Sequence, residues 1–291
     1  MQLVSIVIPT YNHASYIGKA LCSILDQTYQ NWEAIVIDNQ STDHTDEILN
    51  KYQDPRIKYF KINNNGIIAK SRNFGIRTAK GEWIAFLDSD DYWAQDKLST
   101  CFKYFKDCVD LIYHDMEITT SKQKYIKRKI NKSRRLKKPV LIDLLTGGNP
   151  ISNSSVIVRK KMLEKVDLID ECKDLVASED YNTWLKISKL TDQFLYIPKR
   201  LGYYFINEQS MSKKNMSHSY RQATYNFLSV LNNNQKIKLE TNIVYTSGRF
   251  NYLNLNFIKA KKELLYVLKF GSFKLKVKSL IMIVLILIKL I

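Results

Sequence analysis

Three closely spaced carboxylates follow a continuous apolar run, and their chemistry suits a divalent cation. The run covers residues 83–87, and Asp88, Asp90 and Asp91 come directly after it. Carboxylates two residues apart at a strand end can turn toward one point, and Mg²⁺ and Mn²⁺ prefer hard oxygen ligands. We therefore predict a metal ion at this turn that bridges a diphosphate. The alternative is that the acids begin a helix over residues 92–97.

Polar clusters also follow the first two apolar runs of the chain. Thr10 and Tyr11 follow the run LVSIVI, and Asp38 and Asn39 follow the run AIVI. Ligands of open parallel sheets bind beyond the carboxyl ends of the strands. Three polar clusters expected at one edge therefore predict a binding site there, and a solvated turn is the alternative for Asp38.

Alternating periodicities over residues 1–115 predict the frame that positions these side chains. Short apolar runs, which are typical of strands buried on both faces, alternate with segments whose apolar residues recur at helical spacing. The resulting order βαβαβαβαβ indicates an α/β fold with a doubly wound, mainly parallel sheet. Residues 216–291 are rich in lysine and helix formers, which predicts a helical C-terminal extension.

Composition narrows the function classes. The 291-residue chain carries 45 Lys and Arg against 28 Asp and Glu, and its net charge of +17 asks for an anionic partner. Four cysteines without a CxxC pair predict neither a disulfide framework nor a zinc site. A P-loop NTPase, a dinucleotide dehydrogenase and an α/β-hydrolase are not expected, because the sequence lacks the glycine patterns of all three.

A basic segment and an apolar tail suggest a surface that contacts a membrane. Residues 122–138 contain ten Lys and Arg and no acid, which predicts a solvated loop or a patch for anionic lipid. Thin aromatic interleaving and the lack of a recognised motif argue against nucleic acid as a partner. Residues 279–291 are almost wholly apolar and too short to span a bilayer, which needs ~20 residues. We expect this tail to lie in an anionic membrane interface, with a buried helix as the alternative.

Five segments occur in an order that carries a specific resemblance. They are SIVIPTYN (5–12), ASYIGKALCSILDQTYQNWE (14–33), IVIDNQSTDHT (35–45), AKSRNFGIRTAKGEWIAFLDSDD (69–91) and SEDYNTWLKIS (178–188). Together they resemble family 2 glycosyltransferases of the bacterial surface-polysaccharide type, which are inverting enzymes with the GT-A fold. The resemblance implies a catalytic domain over residues 1–215, with a nucleotide-binding half (1–115) and an acceptor-binding half (116–215). A basic helical tail (216–291) would follow.

The resemblance also implies roles around a nucleotide-sugar donor. The implied donor-binding residues are Thr10, Tyr11, Asp38, Asn39, Arg72, Asn73, Asp88 and Ser89, and the implied ligands of Mn²⁺ or Mg²⁺ are Asp90 and Asp88. Asn39 stands where relatives usually carry Asp, and an amide offers both a donor and an acceptor to the base. A solvent-facing helix position is the alternative for Arg72.

On the acceptor side, the resemblance implies a general base and two contacts. Asp180 would remove the proton from the acceptor hydroxyl as it attacks the anomeric carbon, and Glu179 and Trp184 would contact the acceptor. A helix dipole favours acids in a first turn in any case, and Trp184 also suits a core position. Both alternatives stay open.

One stretch departs from the family pattern. Many relatives carry Arg and His in Y-R-x-H-x-x-S-x-S, whereas residues 204–212 are YFINEQSMS. Phe205 and Asn207 replace the charged pair, although Ser210 and Ser212 remain. Positive charge for a diphosphate is then expected from neighbouring basic residues, namely Lys199, Arg200, Lys213 and Lys214.

These features predict a metal-dependent, inverting glycosyltransferase that moves a hexosyl or N-acetylhexosaminyl group from a nucleotide sugar, above all a UDP-sugar. The expected acceptor is a polyprenyl-diphosphate-linked saccharide or a lipopolysaccharide core in polysaccharide biosynthesis. The expected location is cytoplasmic and peripheral, on the inner face of the cell membrane. The alternatives are a sugar-phosphate nucleotidylyltransferase, which normally carries a glycine-rich loop after the first strand, and a basic nucleic-acid-binding α/β protein.

Overall fold

Strands and helices alternate through the first half of the chain. The computed structural model describes residues 2–120, 129–206 and 214–289. In chain order, its elements are β1 (Val4–Thr10), α1 (Ala14–Leu25), β2 (Trp32–Asp38), α2 (Thr45–Leu49), β3 (Ile57–Lys61), α3 (Ile68–Thr78), β4 (Trp83–Phe86), β5 (Tyr92–Trp93), α4 (Lys97–Phe102), β6 (Leu111–Thr120), β7 (Lys129–Asn131), α5 (Val140–Gly147), β8 (Ile157–Arg159), α6 (Lys160–Lys165), α7 (Glu179–Ser188), β9 (Phe194–Ile206), α8 (Ser217–Tyr225), α9 (Asn233–Leu253), α10 (Phe257–Phe270) and α11 (Phe273–Lys289). Short 3₁₀ helices lie at Asn153–Ser155, Lys173–Leu175 and Leu228–Val230.

The chain divides into two compact units. The first unit contains the described residues within 1–136, 150–173 and 186–207, and the strands named above belong to it. The second unit contains those within 137–149, 174–185 and 208–291, and it is helical. The functional division at residue 215 stays a prediction.

A mostly parallel sheet forms the centre of the first unit, as the sequence predicted. The strand order is β3-β2-β1-β4-β8-β6-β9-β5, with β7 paired to β6. Helices connect β1, β2, β3 and β4, which pair in parallel because a crossover returns the chain to the same end of the sheet. The predicted fifth strand is β6, but β8 lies between β4 and β6 and is antiparallel to both. The uninterrupted βα order therefore ends at β4.

A proline marks an irregularity in β9. β9 contains Pro198, and it is one strand that pairs with both β6 and β5. Its register against β6 shifts where His114 faces Ile197 and Asp115 faces Arg200, so two residues of β9 oppose none of β6. A bulge accommodates proline there because its ring nitrogen cannot donate to the ladder.

The sheet brings the predicted polar clusters to one edge. Thr10 and Asp38 are the last residues of β1 and β2, and they are register partners. The amide of Leu87 donates to the carbonyl oxygen of Val7 at 3.1 Å, so the chain leaves β4 beside the end of β1. Asp88 follows directly. The polar residues after β1, β2 and β4 therefore share the carboxyl edge, as predicted.

A buried polar network fastens the opposite edge of the sheet. Ser5 on β1 donates to Glu33 on β2 at 2.7 Å, and the amide of Gly81 donates to Ser5 Oγ at 2.8 Å. Lys58 on β3 pairs with Glu33 at 2.6 Å. A Cβ atom on Gly81 would lie 2.6 Å from the carbonyl oxygen of Leu3, so only glycine fits where the chain enters β4.

The second unit has a small apolar core of its own. Ala260 and Leu264 of α10 pack with Ile283 and Ile286 of α11. Asn232 caps α9 through a reciprocal pair of hydrogen bonds with Gln235, which satisfies two free amides of the first turn. Across the described ranges, no helix combines the length and apolar character that crossing a membrane requires.

We expect Gly81→Ala to destabilise the first unit, because its methyl group would meet the backbone atoms of Leu3 and Ser5 at 2.6 and 2.9 Å. Overpacking against rigid neighbours should lower the free energy of unfolding by about 1–3 kcal/mol in urea titrations. Lys80→Ala is the control, since its side chain is exposed. Equal midpoints for the two variants would contradict this account of the edge.

Candidate active site

The turns that follow β1 and β2 are tied together by hydrogen bonds. The amide of Asn39 donates to the carbonyl oxygen of Thr10 at 3.0 Å. Asn12, whose φ is 50°, receives the amide of Thr42 at 2.8 Å and donates its own amide to Ser41 Oγ at 2.8 Å. The two turns therefore form one rigid wall at the carboxyl edge of the sheet.

The four predicted nucleoside contacts differ in how available they are. Asp38 is fully buried and accepts from the Ser41 amide at 3.0 Å and from the Tyr59 hydroxyl at 3.2 Å. Asn39 accepts the amide of Asn64 through Oδ1 at 2.8 Å. Tyr11 is 52% exposed. The ring of Tyr11 is thus free to stack on a base, whereas Asp38 mainly shapes the turn.

Asp88, Ser89, Asp90 and Asp91 form a tight turn, which we call the acidic turn. The amide of Asp91 donates to the carbonyl oxygen of Asp88 at 2.9 Å. The turn connects β4 to β5, and the next helix, α4, begins only at Lys97. A helix start therefore does not explain the acids.

The Asp88 carboxylate is held from two sides. Arg72 of α3 donates to Oδ1 at 2.8 Å, and Asn153 donates to the same oxygen at 3.2 Å. The backbone amide of Asp88 also donates to Ser154 Oγ at 3.1 Å. Arg72 is only 4% exposed, so its charge acts at short range and with little screening. The solvent-facing alternative for Arg72 does not hold.

The other two acids are ionised only at an electrostatic cost. Burial, together with the neighbouring charge of Asp88, raises the pKa of Asp90 to about 7. Burial raises the pKa of Asp91 well above its usual range, and the charges of Asp90 and Asp88 act in the same direction. Crowded, partly desolvated carboxylates favour a bound cation, since a divalent ion relieves their repulsion.

This donor set fits the predicted Mn²⁺ or Mg²⁺. Asp88 and Asp90 offer oxygen ligands, and the raised pKa of Asp90 indicates a site that needs positive charge. Within the described part of the chain, no cluster of three or more His, Cys, Asp or Glu could hold a metal alone. Mg²⁺ is commonly bound by one or two carboxylates together with substrate phosphates and water, and this pair matches that pattern.

His13 is a neighbour of the acidic turn that sequence reasoning missed. Its Nδ1 lies 2.7 Å from Ser89 Oγ, and it stands at the start of α1. Burial lowers the pKa of His13, although the charges of Asp88 and Asp43 oppose this. A neutral imidazole therefore fixes Ser89. The segment before α1 contains a single His, but only the fold brings it to a turn 76 residues away.

A second missed feature is the support beneath Asp88. The carbonyl oxygen of Ser154 accepts from Trp93 Nε1 at 2.9 Å and from Lys97 Nζ at 2.9 Å. Lys97 is fully buried, lies 3.4 Å over the Trp93 ring, and has a pKa well below its usual range because of that burial. Lys97 and Trp93 thus fix the segment that holds Asp88. In the sequence this segment is the short polar run NSS (153–155), which gives no sign of such a role.

Asn73 serves the frame rather than an open site. Its amide nitrogen donates to the carbonyl oxygen of Ile169 at 2.7 Å and to Glu171 at 2.9 Å, and its oxygen accepts the amide of Ile169 at 3.0 Å. The side chain is 2% exposed. A direct donor contact from Asn73 stays a prediction, and the observed partners favour a positioning role.

Glu179, Asp180 and Trp184 belong to the second unit, at the start of α7. Asp180 is half-buried, and its Oδ1 accepts the amide of Tyr181 at 2.6 Å. Glu179 is buried, and the Trp184 ring is 1% exposed, which favours the core alternative for Trp184. The hydroxyl of Tyr181 donates to the carbonyl oxygen of Leu144 at 2.9 Å, so α7 is anchored to α5.

The departing stretch is described in part. The amide of Phe205 donates to Asp91 at 2.9 Å, and its ring lies 5.1 Å from that of Tyr16. Residues 207–213, which include Asn207, Ser210, Ser212 and Lys213, lie outside the described residues.

Two of the expected replacement cations have other neighbours. Arg200 pairs with Glu117 at 3.2 Å. Lys199 and Arg200 line a cavity of about 500 Å³ that includes no residue of the acidic turn. Lys214 is exposed. Among the described residues, Arg72 forms an ion pair with the acidic turn through Asp88.

We expect Mn²⁺ binding to weaken as the pH falls below about 7, because Asp90 has a pKa of about 7 and its protonated form is a poor ligand. The apparent affinity should drop about tenfold per pH unit below that value, since each bound ion then displaces a proton. Calorimetric titration between pH 5.5 and 8 measures this. Asp90→Asn should remove the dependence, and exposed Asp26→Asn should keep it. A flat profile in the unaltered protein would refute the assignment of Asp90.

Arg72→Met should raise the repulsion within the acidic turn. We expect a loss of about 2 kcal/mol in unfolding free energy, because a partly buried carboxylate loses its charge partner. Mn²⁺ should then raise the Tm of this variant more than that of the unaltered protein, since the ion replaces the missing charge. Arg77→Met, at an exposed position of α3, is the control. Identical Mn²⁺ shifts in Arg72→Met and the unaltered protein would count against the charge argument.

Comparison with known proteins agrees with this geometry. A family model described as Glycosyl transferase family 2 matches residues 5–167. An uncharacterized glycosyltransferase of Haemophilus influenzae is 30% identical over 267 residues, which cover 90% of this chain and 99% of that protein. The UDP-Glc:alpha-D-GlcNAc-diphosphoundecaprenol beta-1,3-glucosyltransferase WfgD of Escherichia coli is 32% identical over 188 residues, which cover 64% of this chain and 70% of that enzyme.

Solved structures show the same fold. The crystal structure of S. aureus TarS 1-349 in complex with UDP-GlcNAc gives a TM-score of 0.65 at 21% identity, over 93% of this chain and 80% of that chain. The mannosyltransferase PcManGT from Pyrobaculum calidifontis, in complex with GDP-Man and Mn2+, gives 0.62 at 18% identity, over 98% and 80%. The predicted α/β fold and enzyme class are thereby confirmed, and the chain belongs to glycosyl transferase family 2.

Proposed function

We propose that this glycosyltransferase moves a hexosyl or N-acetylhexosaminyl group from a UDP-sugar to a hydroxyl of a polyprenyl-diphosphate-linked saccharide, with inversion at the anomeric carbon. The observation that carries the proposal is the acidic turn at the carboxyl edge of the sheet, where Arg72 and Asn153 hold Asp88 and where Asp90 has a raised pKa. Crowded and partly buried acids favour the binding of a divalent cation together with a diphosphate.

The donor would bind along the wall formed by the turns after β1 and β2. Tyr11 has an exposed ring that can stack on the base, and the side-chain NH₂ of Asn39 can donate to a base carbonyl. Thr10 Oγ1 is buried and has no hydrogen-bond partner within the described ranges, so it is poised to shift toward the ribose. Asp38 would act indirectly, by shaping this wall, and Asn73 would act by holding α3 to Ile169 and Glu171.

Asp88 and Asp90 would hold the divalent ion, and Ser89 would lie beside it, fixed by His13. When bound, such an ion supplies positive charge that stabilises a diphosphate leaving group. The contribution of this chain is orientation: Arg72, Asn153 and Ser154 restrict Asp88 before any ligand arrives, which avoids reorganisation on binding.

Asp180 is our candidate for the general base, in keeping with the family pattern around residues 178–188. It would take the proton of the acceptor hydroxyl as that oxygen bonds to the anomeric carbon, while the bond from that carbon to the diphosphate oxygen breaks. Glu179 and Trp184 would support the acceptor side from within α7. Their burial makes them positioning residues in this scheme.

The names of two relatives support the proposed acceptor and the proposed location. WfgD and WfaP of Escherichia coli are named for transfer to α-D-GlcNAc-diphosphoundecaprenol, and WfaP is 48% identical over 99 residues, which cover 34% of this chain and 39% of that enzyme. A similar lipid-linked acceptor, or a lipopolysaccharide core, would keep this enzyme cytoplasmic and peripheral on the inner face of the membrane. In this scheme residues 1–215 form the catalytic part.

A donor screen tests the proposal. The protein is incubated with Mn²⁺ and a panel of nucleotide sugars, and free nucleotide is measured with and without an undecaprenyl-diphosphate-linked saccharide. We expect UDP release with at least one UDP-sugar and its loss in Asp90→Ala, because the diphosphate then lacks its cation site. No release from any nucleotide sugar would refute the donor assignment.

Asp180→Asn separates the base from the donor site. We expect UDP-sugar binding to stay within twofold of the unaltered protein, whereas transfer should fall by about 10²–10⁴-fold, the usual contribution of a general base. Asp26→Asn, at an exposed position, should leave both unchanged. Transfer at the normal rate in Asp180→Asn would remove this residue from the mechanism.

A further inference from the structure

The outward side of α11 is apolar. The exposed apolar residues of this helix are Phe273, Val277, Leu280, Ile281, Val284, Leu285, Leu287 and Ile288, which we call the α11 face. Phe273 is 84% exposed and Ile288 is 63% exposed. At 100° per residue, these positions fall on one side of the helix. Contiguous exposed apolar residues along a whole helix are unusual on the surface of a soluble protein, and they mark an interaction site.

The other side of the same helix already has its partner. Ser279, Ile283 and Ile286 are buried, and the two isoleucines pack on Ala260 and Leu264 of α10. α11 therefore uses one side to hold the second unit together. Packing within this unit does not account for the apolar residues of the α11 face.

The lysines beside the α11 face distinguish between two partners for it, a second copy of the chain and an anionic lipid surface. Lys274 and Lys278 are exposed, lie one turn apart, and follow one edge of the α11 face. Residues 257–289 contain eight lysines and one acid, Glu263, which is engaged by Ser247 and Asn251, each at 2.8 Å. Two copies stacked through this face would bring these lysines together, which disfavours self-association. An anionic lipid surface satisfies both the apolar and the positive components.

We propose that the α11 face inserts into the interface of an anionic bilayer, with the helix in the plane of the membrane and with Lys274 and Lys278 among the headgroups. A helix of 17 residues is about 25 Å long, and it offers a strip along its whole length. This proposal rests on the proposed function, because an enzyme with a lipid-linked acceptor must reach that acceptor at a bilayer. Its geometry comes from α11 alone.

Flotation of the full chain with vesicles tests this surface. Vesicles of phosphatidylcholine alone are compared with vesicles containing 30% phosphatidylglycerol, at low and high salt. We expect the protein to float with the anionic vesicles and to float less with neutral vesicles or at high salt. Recovery in the unbound fraction with anionic vesicles at low salt would overturn the proposal.

Two variants assign the binding to the α11 face. The triple variant Leu280→Ser, Ile281→Ser, Val284→Ser should reduce the vesicle-bound fraction at least tenfold, and Lys274→Glu with Lys278→Glu should reduce binding to anionic vesicles only. The matched control replaces three exposed apolar residues outside α11, Leu190, Val230 and Leu253, with Ser, and it should bind normally. Normal binding by the α11 triple variant would refute the assignment.

Two further measurements separate the alternatives. Far-UV circular dichroism and UDP release from the donor should be unchanged in the α11 variants, which lie outside the proposed catalytic residues. If the unaltered protein released no UDP from any donor, this would instead count against the proposed function, whatever the vesicle result. Light scattering reports the mass in solution: a dimer that the triple variant converts to a monomer would make the α11 face a contact between copies and overturn the lipid proposal.

Discussion

The crowding of three acids in one short turn, two of them largely buried, is the constraint on which the proposed site depends. Asp88, Asp90 and Asp91 leave β4 at the carboxyl edge of the sheet, and Arg72 directly pairs with the first of them. Burial keeps the pKa values of the other two high. The turn is held by backbone and side-chain hydrogen bonds, and in the proposed function a divalent cation with a diphosphate would offset this cost.

The surrounding structure serves to keep that turn in place. Ser154 receives Trp93 and the buried Lys97 on its carbonyl oxygen, and its hydroxyl receives the amide of Asp88. On the other flank, His13 contacts Ser89. At the far edge of the sheet, Gly81 admits a close backbone approach that fixes the start of β4. Contacts at both edges of the sheet thus help to orient the acidic turn.

Much of this architecture was predictable, and the exceptions have physical reasons. Apolar runs followed by polar residues placed Thr10, Asp38 and Asp88 on one edge, because parallel strands end together. The apolar run SVIV (155–158) indicates a strand, which is β8, but so short a run does not show that β8 inserts antiparallel between β4 and β6. The contacts of His13 and Ser154 join residues far apart in sequence, so only tertiary structure brings them to the turn. Asn73 illustrates the reverse case, since a motif residue is occupied by the frame.

In the proposed function, the acidic turn and the nucleotide sugar share one cation. Linkage between the two ligands tests it most directly: the affinity for a UDP-sugar is measured by calorimetry with and without Mn²⁺, in the unaltered protein and in Asp90→Asn. We expect Mn²⁺ to tighten UDP-sugar binding at least tenfold in the unaltered protein and to have no effect in the variant. Equal affinity with and without Mn²⁺ in the unaltered protein would contradict it.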